Sequence, residues 1–445
     1  MCYGNNNGLI VILCYNFNMN QLITKPYSFR NLINKVPRPI KIMAVVMFFF
    51  EFGFGFIDPW WAIYIEKITN NLFITGVVIS LFSLSGLLLT LPLGQVIDRF
   101  DHKTIIRASL VMYLAVASLY FAAGYLNSIP LLVMAVLVNG ISSIIMYETS
   151  QAYVDNHYEG DKSFNYSFYI SLDALGYLVG TLAVLAVVAW WPLYYGFLVV
   201  ALFILLTLLI ERRLPPTSTK PAPLGTIFKD LFSSKFLSRA IKALPNYSIF
   251  FYVQILAVFS LLFIQFGFMI FLPLFGIEQK LSLIQIGLVS IFFQIPIFLS
   301  VYYATLLAHW AKKYIILLFF SLISILMFTF FYIHSQVIFF VVSFFISSAL
   351  AILNLTVRPV IFSLSPNHLE GETAAITKFA EKLATVAAPL IVGWIAAWYG
   401  ISFSYILFAS LALLLALGGF YFYSRYHQET ISVVPVVKHL HRSGN

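Results

Sequence analysis

Apolar residues in this chain recur in blocks near 20 residues long, separated by short polar or Pro/Gly punctuation. At 1.5 Å per residue, such a block is what a helix needs to cross a hydrocarbon core of about 30 Å. Spans are expected near 40–65, 72–97, 104–126, 129–153, 164–187 and 189–210, then near 248–272, 284–307, 314–333, 336–361, 374–399 and 402–424. A transmembrane barrel would instead show segments of about ten residues with alternating polarity, and that pattern is missing. Composition agrees: 61% of residues are hydrophobic and 10% charged, where a soluble domain carries about a quarter charged. The expectation is an all-α integral membrane protein of 12 transmembrane helices.

The net charge of +9 points to nucleic acid only if the bases gather on one folded face, and they follow the loops instead. Lys25, Arg30, Lys35, Arg38 and Lys41 precede or open the first span, Arg99, Lys103 and Arg107 follow the second, and Arg212, Arg213, Lys220, Lys229, Lys235, Arg239 and Lys242 fall in the central loop. Lys312 and Lys313 lie on the same side, and the opposite side receives only Lys67 and Lys280. The positive-inside rule then puts both termini in the cytoplasm of a cell inner (plasma) membrane protein, with no nucleic-acid partner. Cys2 and Cys14 both lie in the polar stretch ahead of the first span, so no disulfide framework is implied. Residues 1–38 read as a cytoplasmic tail, with Met19 and Met43 as alternative starts.

Five segments follow: the tail 1–38, a helical bundle 39–210, a linker 211–247, a second bundle 248–424 and a tail 425–445. The linker opens on Glu211-Arg212-Arg213 and a Pro/Ser/Thr run from Pro215 to Pro223, which cannot sustain a helix. Beyond it Ile227, Phe228, Leu231, Phe232, Phe236, Leu237, Ala240, Ile241 and Leu244 recur at helical spacing with bases between them, the pattern of an interfacial amphipathic helix or of a solvated basic connector.

The halves repeat. Asn156-His157-Tyr158-Glu159-Gly160-Asp161 matches Asn367-His368-Leu369-Glu370-Gly371-Glu372 at a shift of 211 residues, and Thr75-Gly76-Val77-Val78 matches Ile286-Gly287-Leu288-Val289 at the same shift. Two six-helix bundles around a central path are the expected architecture, a 6+6 pseudo-repeat.

Between the second and third spans stands Gly94-Gln95-Val96-Ile97-Asp98-Arg99-Phe100-Asp101-His102-Lys103. It resembles the G-x-x-x-D-R-x-G-R-K/R loop signature of the major facilitator superfamily. Gly94, Asp98, Arg99 and Lys103 match, whereas Asp101 replaces the glycine and His102 an arginine, which alters the turn. With the spans and the repeat, the resemblance covers residues 40–424. It implies a secondary transporter, with Asp98 and Arg99 in a loop that latches one bundle against the other; the alternative is a solvated loop that only enforces topology. Val136 stands where many proton-coupled members carry Arg four residues before a glycine, here Gly140, and Gly176 and Gly180 lack the Gly-Pro pair of drug antiporters.

A charge in hydrocarbon costs several kcal/mol, so acids and bases within spans are candidates for function. Glu51 and Asp58, seven residues apart in the first span, fall on roughly one helical face and are candidates to load and release a proton; Asp58 alternatively caps a helix break. Glu148 in the fourth span and Arg358 in the tenth are related by the repeat to within one residue. They either pair across the path, or each pairs within its own bundle, with Tyr147 or Asn354 among the partners, and Arg358 is alternatively an anion-binding residue. Asp173 lies in the fifth span, and Lys378 and Glu381 have the spacing of an intrahelical pair. Trp60-Trp61, Trp394, Trp398 and Tyr399 belong mostly to the interfacial belt, and Tyr147 and Phe54 are candidates to touch a substrate.

No His/Cys metal cluster, G-x-S-x-G, H-E-x-x-H or Walker loop occurs, so no enzyme, cofactor or metal is expected. The leading reading is a monomeric carrier of a small molecule coupled to protons, working by alternating access. A transporter-like lipid flippase or membrane receptor is the alternative.

Overall fold

The computed structural model describes residues 36–157, 162–217, 245, 247–299, 312–332, 335–364 and 370–425. Among these residues there is no strand. In a bilayer the backbone must satisfy its own hydrogen bonds, and an unbroken helix does so without a partner. The helices are α1 Arg38–Gly55, α2 Asp58–Thr69, α3 Leu72–Arg99, α4 His102–Leu126, α5 Ile129–Asp155, α6 Lys162–Leu185, α7 Gly196–Glu211, α8 Ile249–Glu278, α9 Leu283–Phe298, α10 Lys312–Phe331, α11 Gln336–Ser363, α12 Glu370–Tyr399 and α13 Ile401–Arg425.

Among the described residues nine helices are long and apolar enough to cross a membrane, and a tenth span results if α1 and α2, which meet at a bend of 40°, are taken as one. Two shorter apolar helices, Leu283–Pro296 and Ile316–Phe331, add to these. The break falls inside the expected first span, at the place where Asp58 is one candidate to cap it. Gly53 and Gly55 are poor helix formers and the Pro59 ring opposes helix just before it, so the chain turns at Phe56-Ile57 and restarts at Asp58.

Two compact units result, the first holding Met1–Tyr64, Leu88–Phe232 and Thr305–Ala308, the second Ile65–Leu87, Ser233–Ala304 and His309–Asn445. In the first, α1 packs most extensively on α6 and also on α7, while α4 packs on α5 and α7. The α1–α6 crossing is set by glycines from both sides. A β-carbon at Gly176 would overlap the Phe48 carbonyl, one at Gly180 the Phe52 carbonyl, and one at Gly55 the Tyr177 carbonyl. Small residues let helix backbones touch where the solvent is lipid and no hydrophobic effect drives association, and Thr181 Oγ1 seals the crossing by donating to the Gly55 carbonyl at 2.9 Å. In the second unit α8 packs on α12, α11 and α13, and α10 on α13. Its interior is aromatic, with Tyr405 in contact with Phe268, Phe275, Phe330 and Phe408.

Trp60, near the start of α2, is completely buried. Trp394, Trp398 and Tyr399 are exposed, as residues facing lipid or headgroups would be. The amphipathic segment 227–244, the tails 1–35 and 426–445, and most of the Asn156 and Asn367 repeat segments lie outside the described residues.

Candidate functional site

The chemistry of the first unit gathers around Glu51. This residue sits on α1 one turn before the helix ends, 6% exposed, and accepts a hydrogen bond from the Tyr147 hydroxyl of α5. An ionised carboxylate leaves water only with hydrogen bonds in compensation, and Tyr147 supplies one from a helix far away in sequence. Phe50 stacks edgewise on Tyr147 at 6.1 Å and on Tyr113 at 5.0 Å, and Phe54 lies 4.8 Å from Phe50 and 5.1 Å from Tyr113. The wall around the acid is therefore aromatic.

Asp173 on α6 and Asp58 at the start of α2 are both close enough for the Glu51 charge to act on them. One oxygen of Asp173 is sealed from solvent without a hydrogen-bond partner. Nearby Tyr169 shares a hydrogen bond with Ser150 at 2.8 Å, and Ser150 Oγ donates to the Tyr147 carbonyl at 3.0 Å. Asp58, by contrast, is exposed. Glu51 and Asp58 thus differ in exposure, and the break at Phe56-Ile57 lies between them. Among the described residues no three His, Cys, Asp or Glu side chains converge as a metal would require. The three acids are spread through the bundle.

The Tyr147 hydroxyl serves Glu51. Glu148 is partly buried on α5. Arg358 stands on α11, and its side chain lies outside those described, so the Glu148–Arg358 pairing rests on the sequence alone. Lys378 and Glu381 do approach each other within α12, at 3.9 Å.

The signature segment begins inside a helix. Gly94, Asp98 and Arg99 occupy the last turns of α3, the side chains of Asp98 and Arg99 lying outside those described, and only Phe100 and Asp101 separate α3 from α4. Asp101, where the signature has glycine, is the N-cap of α4 and accepts from the Thr104 N–H at 3.1 Å and its hydroxyl at 2.9 Å. A short side chain that caps the next helix substitutes for the flexibility of glycine. Lys103 points to the end of α7, donating to the Arg212 and Leu214 carbonyls at 2.8 and 2.6 Å.

In the second unit two amides meet within the spans: Asn354 of α11 donates to Gln265 of α8 at 2.7 Å.

A helical fold with apolar spans defines a multi-pass membrane protein. The sequence pattern of the Major Facilitator Superfamily matches residues 43–389, and the chain belongs to that family of secondary transporters. Solved structures agree in fold. The human organic anion transporter MFSD10 (TETRAN) is 16% identical with a TM-score of 0.60, covering 86% of this chain and 99% of its own. The nucleoside transporter NupG, solved as a point mutant, is 13% identical with a TM-score of 0.67, covering 86% and 99%. A D-xylose-proton symporter is 16% identical with a TM-score of 0.64, covering 85% and 97%. At these identities the likeness shows the fold alone. No curated protein matches in sequence.

Proposed function

We propose that this transporter carries a small molecule by alternating access in exchange or symport with protons, and that Glu51, with Asp58 and Asp173, loads and releases the proton. The observation that carries the proposal is Glu51 itself: a buried acid in a membrane span, bonded to Tyr147 and within electrostatic reach of two further acids. Like charges in one low-dielectric region resist simultaneous ionisation, so such a group exchanges protons readily. The same acids disfavour an anion in the first unit and favour a neutral or cationic substrate there. Glu148, Arg358 and the Asp98-Arg99 latch are the further candidates, for gating rather than proton loading.

Twelve spans in two six-helix halves, both termini cytoplasmic and a monomer in the inner (plasma) membrane complete the proposal. The order of the helices supports it. Helices α1 and α8 start 211 residues apart, as do α3 and α9, the shift of the sequence repeat. Packing of α1 on α6 and α7 in one unit also corresponds to packing of α8 on α12 and α13 in the other.

The test uses purified protein in proteoliposomes carrying an internal pH dye, challenged with nucleosides, sugars, organic anions and organic cations. A compound that moves protons in the wild type and not in Glu51→Gln establishes coupling through this acid. Labelled compound crossing without any pH change in the wild type rejects proton coupling.

A further inference from the structure

The two places where the signature segment departs from its family, Asp101 and His102, meet a part of the chain more than a hundred residues away. Asp101 Oδ2 caps α4, which leaves Oδ1 for another partner. It accepts from the Thr217 N–H at 2.8 Å and from the Thr217 hydroxyl at 2.9 Å. The His102 N–H donates to the same Thr217 Oγ1 at 2.9 Å.

Three further side chains hold the stretch before Thr217. Lys103 bridges the carbonyls of Arg212 and Leu214, two acceptors that a helix end leaves without intrahelical donors. Arg107 of α4 forks onto Glu211 at 3.1 and 3.4 Å, and the Glu211 side chain is fully buried. The Tyr153 hydroxyl of α5 donates to the Pro215 carbonyl at 3.1 Å. Leu214 is 1% exposed.

The sequence explains why side chains must do this. Pro215 and Pro216 have no N–H, so the stretch cannot be held by a backbone ladder. Thr217 is the first backbone donor after them, and Asp101 receives it. Glycine at position 101, as the family signature has it, could neither cap α4 nor hold Thr217.

We infer that residues 211–217 form a strap docked on the cytoplasmic end of the first unit, with Asp101 and Lys103 as its positioning residues. The linker is thus anchored to the first unit as far as Thr217. The strap also ties the end of α7 to the α3–α4 turn, so tension on the linker is delivered to the segment that carries Asp98 and Arg99. The inference is independent of substrate and coupling ion.

Hydrogen exchange read by mass spectrometry on the purified full-length protein tests it. In the wild type the Thr217 amide is expected to exchange slowly. Asp101→Ala is expected to speed exchange in the 211–217 segment about tenfold or more, since it removes charge-assisted hydrogen bonds. Asp101→Asn, which has one acceptor oxygen for the two sets of donors and no charge, is expected to fall between Asp101→Ala and the wild type, and segments of α1 and α6 are expected to be unchanged in both. Unprotected Thr217 in the wild type overturns the strap. So does an Asp101→Ala variant in which the segment stays protected, or in which α1 and α6 loosen as much as the segment does, because Asp101 would then serve general stability.

Discussion

The Tyr147 hydroxyl, on α5, donates its hydrogen bond to Glu51, on α1. The pair places a neutral donor beside a buried acid, and hydrogen bonds to charged groups contribute about 1.5–3 kcal/mol. Tyr147→Phe is therefore expected to reduce proton-coupled flux in proteoliposomes about tenfold or more, while Glu51→Gln abolishes it. Unchanged flux in Tyr147→Phe would show that the bond has no part in coupling.

Asp173 presents the opposite situation, with a carboxylate oxygen buried and unpartnered. Replacing a buried, poorly compensated acid by its neutral isostere tends to stabilise. Asp173→Asn is expected to raise the thermal unfolding midpoint in detergent by about 2–4 °C per kcal/mol gained, and to impair proton coupling. A lowered midpoint would mean that Asp173 is held by interactions that the amide cannot make.

The α1–α6 crossing has no room at Gly176, and overpacking typically costs about 1–3 kcal/mol. Gly176→Ala is expected to lower the unfolding midpoint. Gly418→Ala is the control: nothing lies within 4 Å of a β-carbon placed there, so helix propensity alone acts and the change is expected to be neutral or slightly stabilising. Equal effects of the two would remove the steric explanation.

Asp101 lies outside the spans. Partial burial pulls its carboxyl upward, and hydrogen bonds from Thr217 and Thr104 outweigh this and hold it below the ordinary value. For a depressed acid, the contribution to stability is complete above the ordinary range near pH 4. It is lost as pH falls through the depressed value. Docking of Thr217 is thus expected to be insensitive to pH between about 6 and 8 and to weaken only in strong acid. Exchange at Thr217 that accelerates as pH falls across that same range, after correction for intrinsic rates, would contradict that assignment.

The spans are readable in sequence because apolar length alone decides whether a helix crosses a bilayer, and Glu51 because a carboxylate in such a block has few alternatives to function. The bend at Phe56-Ile57 is half visible in Gly53, Gly55 and Pro59, though not its effect of leaving Asp58 exposed while Glu51 is buried. The partners of these residues are not readable. Tyr147 reaches Glu51 across 96 residues, and Asp101 reaches Thr217 across 116; both contacts depend on how helices pack, which periodicity does not encode. Asp101 still carries a signal: a residue that breaks a glycine position in a turn needs a compensating partner. The burial of Trp60 is likewise set by packing, since an apolar block does not distinguish a tryptophan turned inward from one at its rim.

The glycine crossing has a bearing on how charge is managed. Phe48 and Phe52, whose carbonyls rest on Gly176 and Gly180, bracket Glu51, and Asp173 lies one turn before Gly176. Backbone lies directly against backbone there, with no side chain to compress or rotate, so the spacing between the two acids works like a calliper locked at one setting. The contact fixes the closest approach of the two helices and so the shortest separation of Glu51 and Asp173. Under the proposed proton coupling, that separation sets how strongly a proton on one acid is felt by the other.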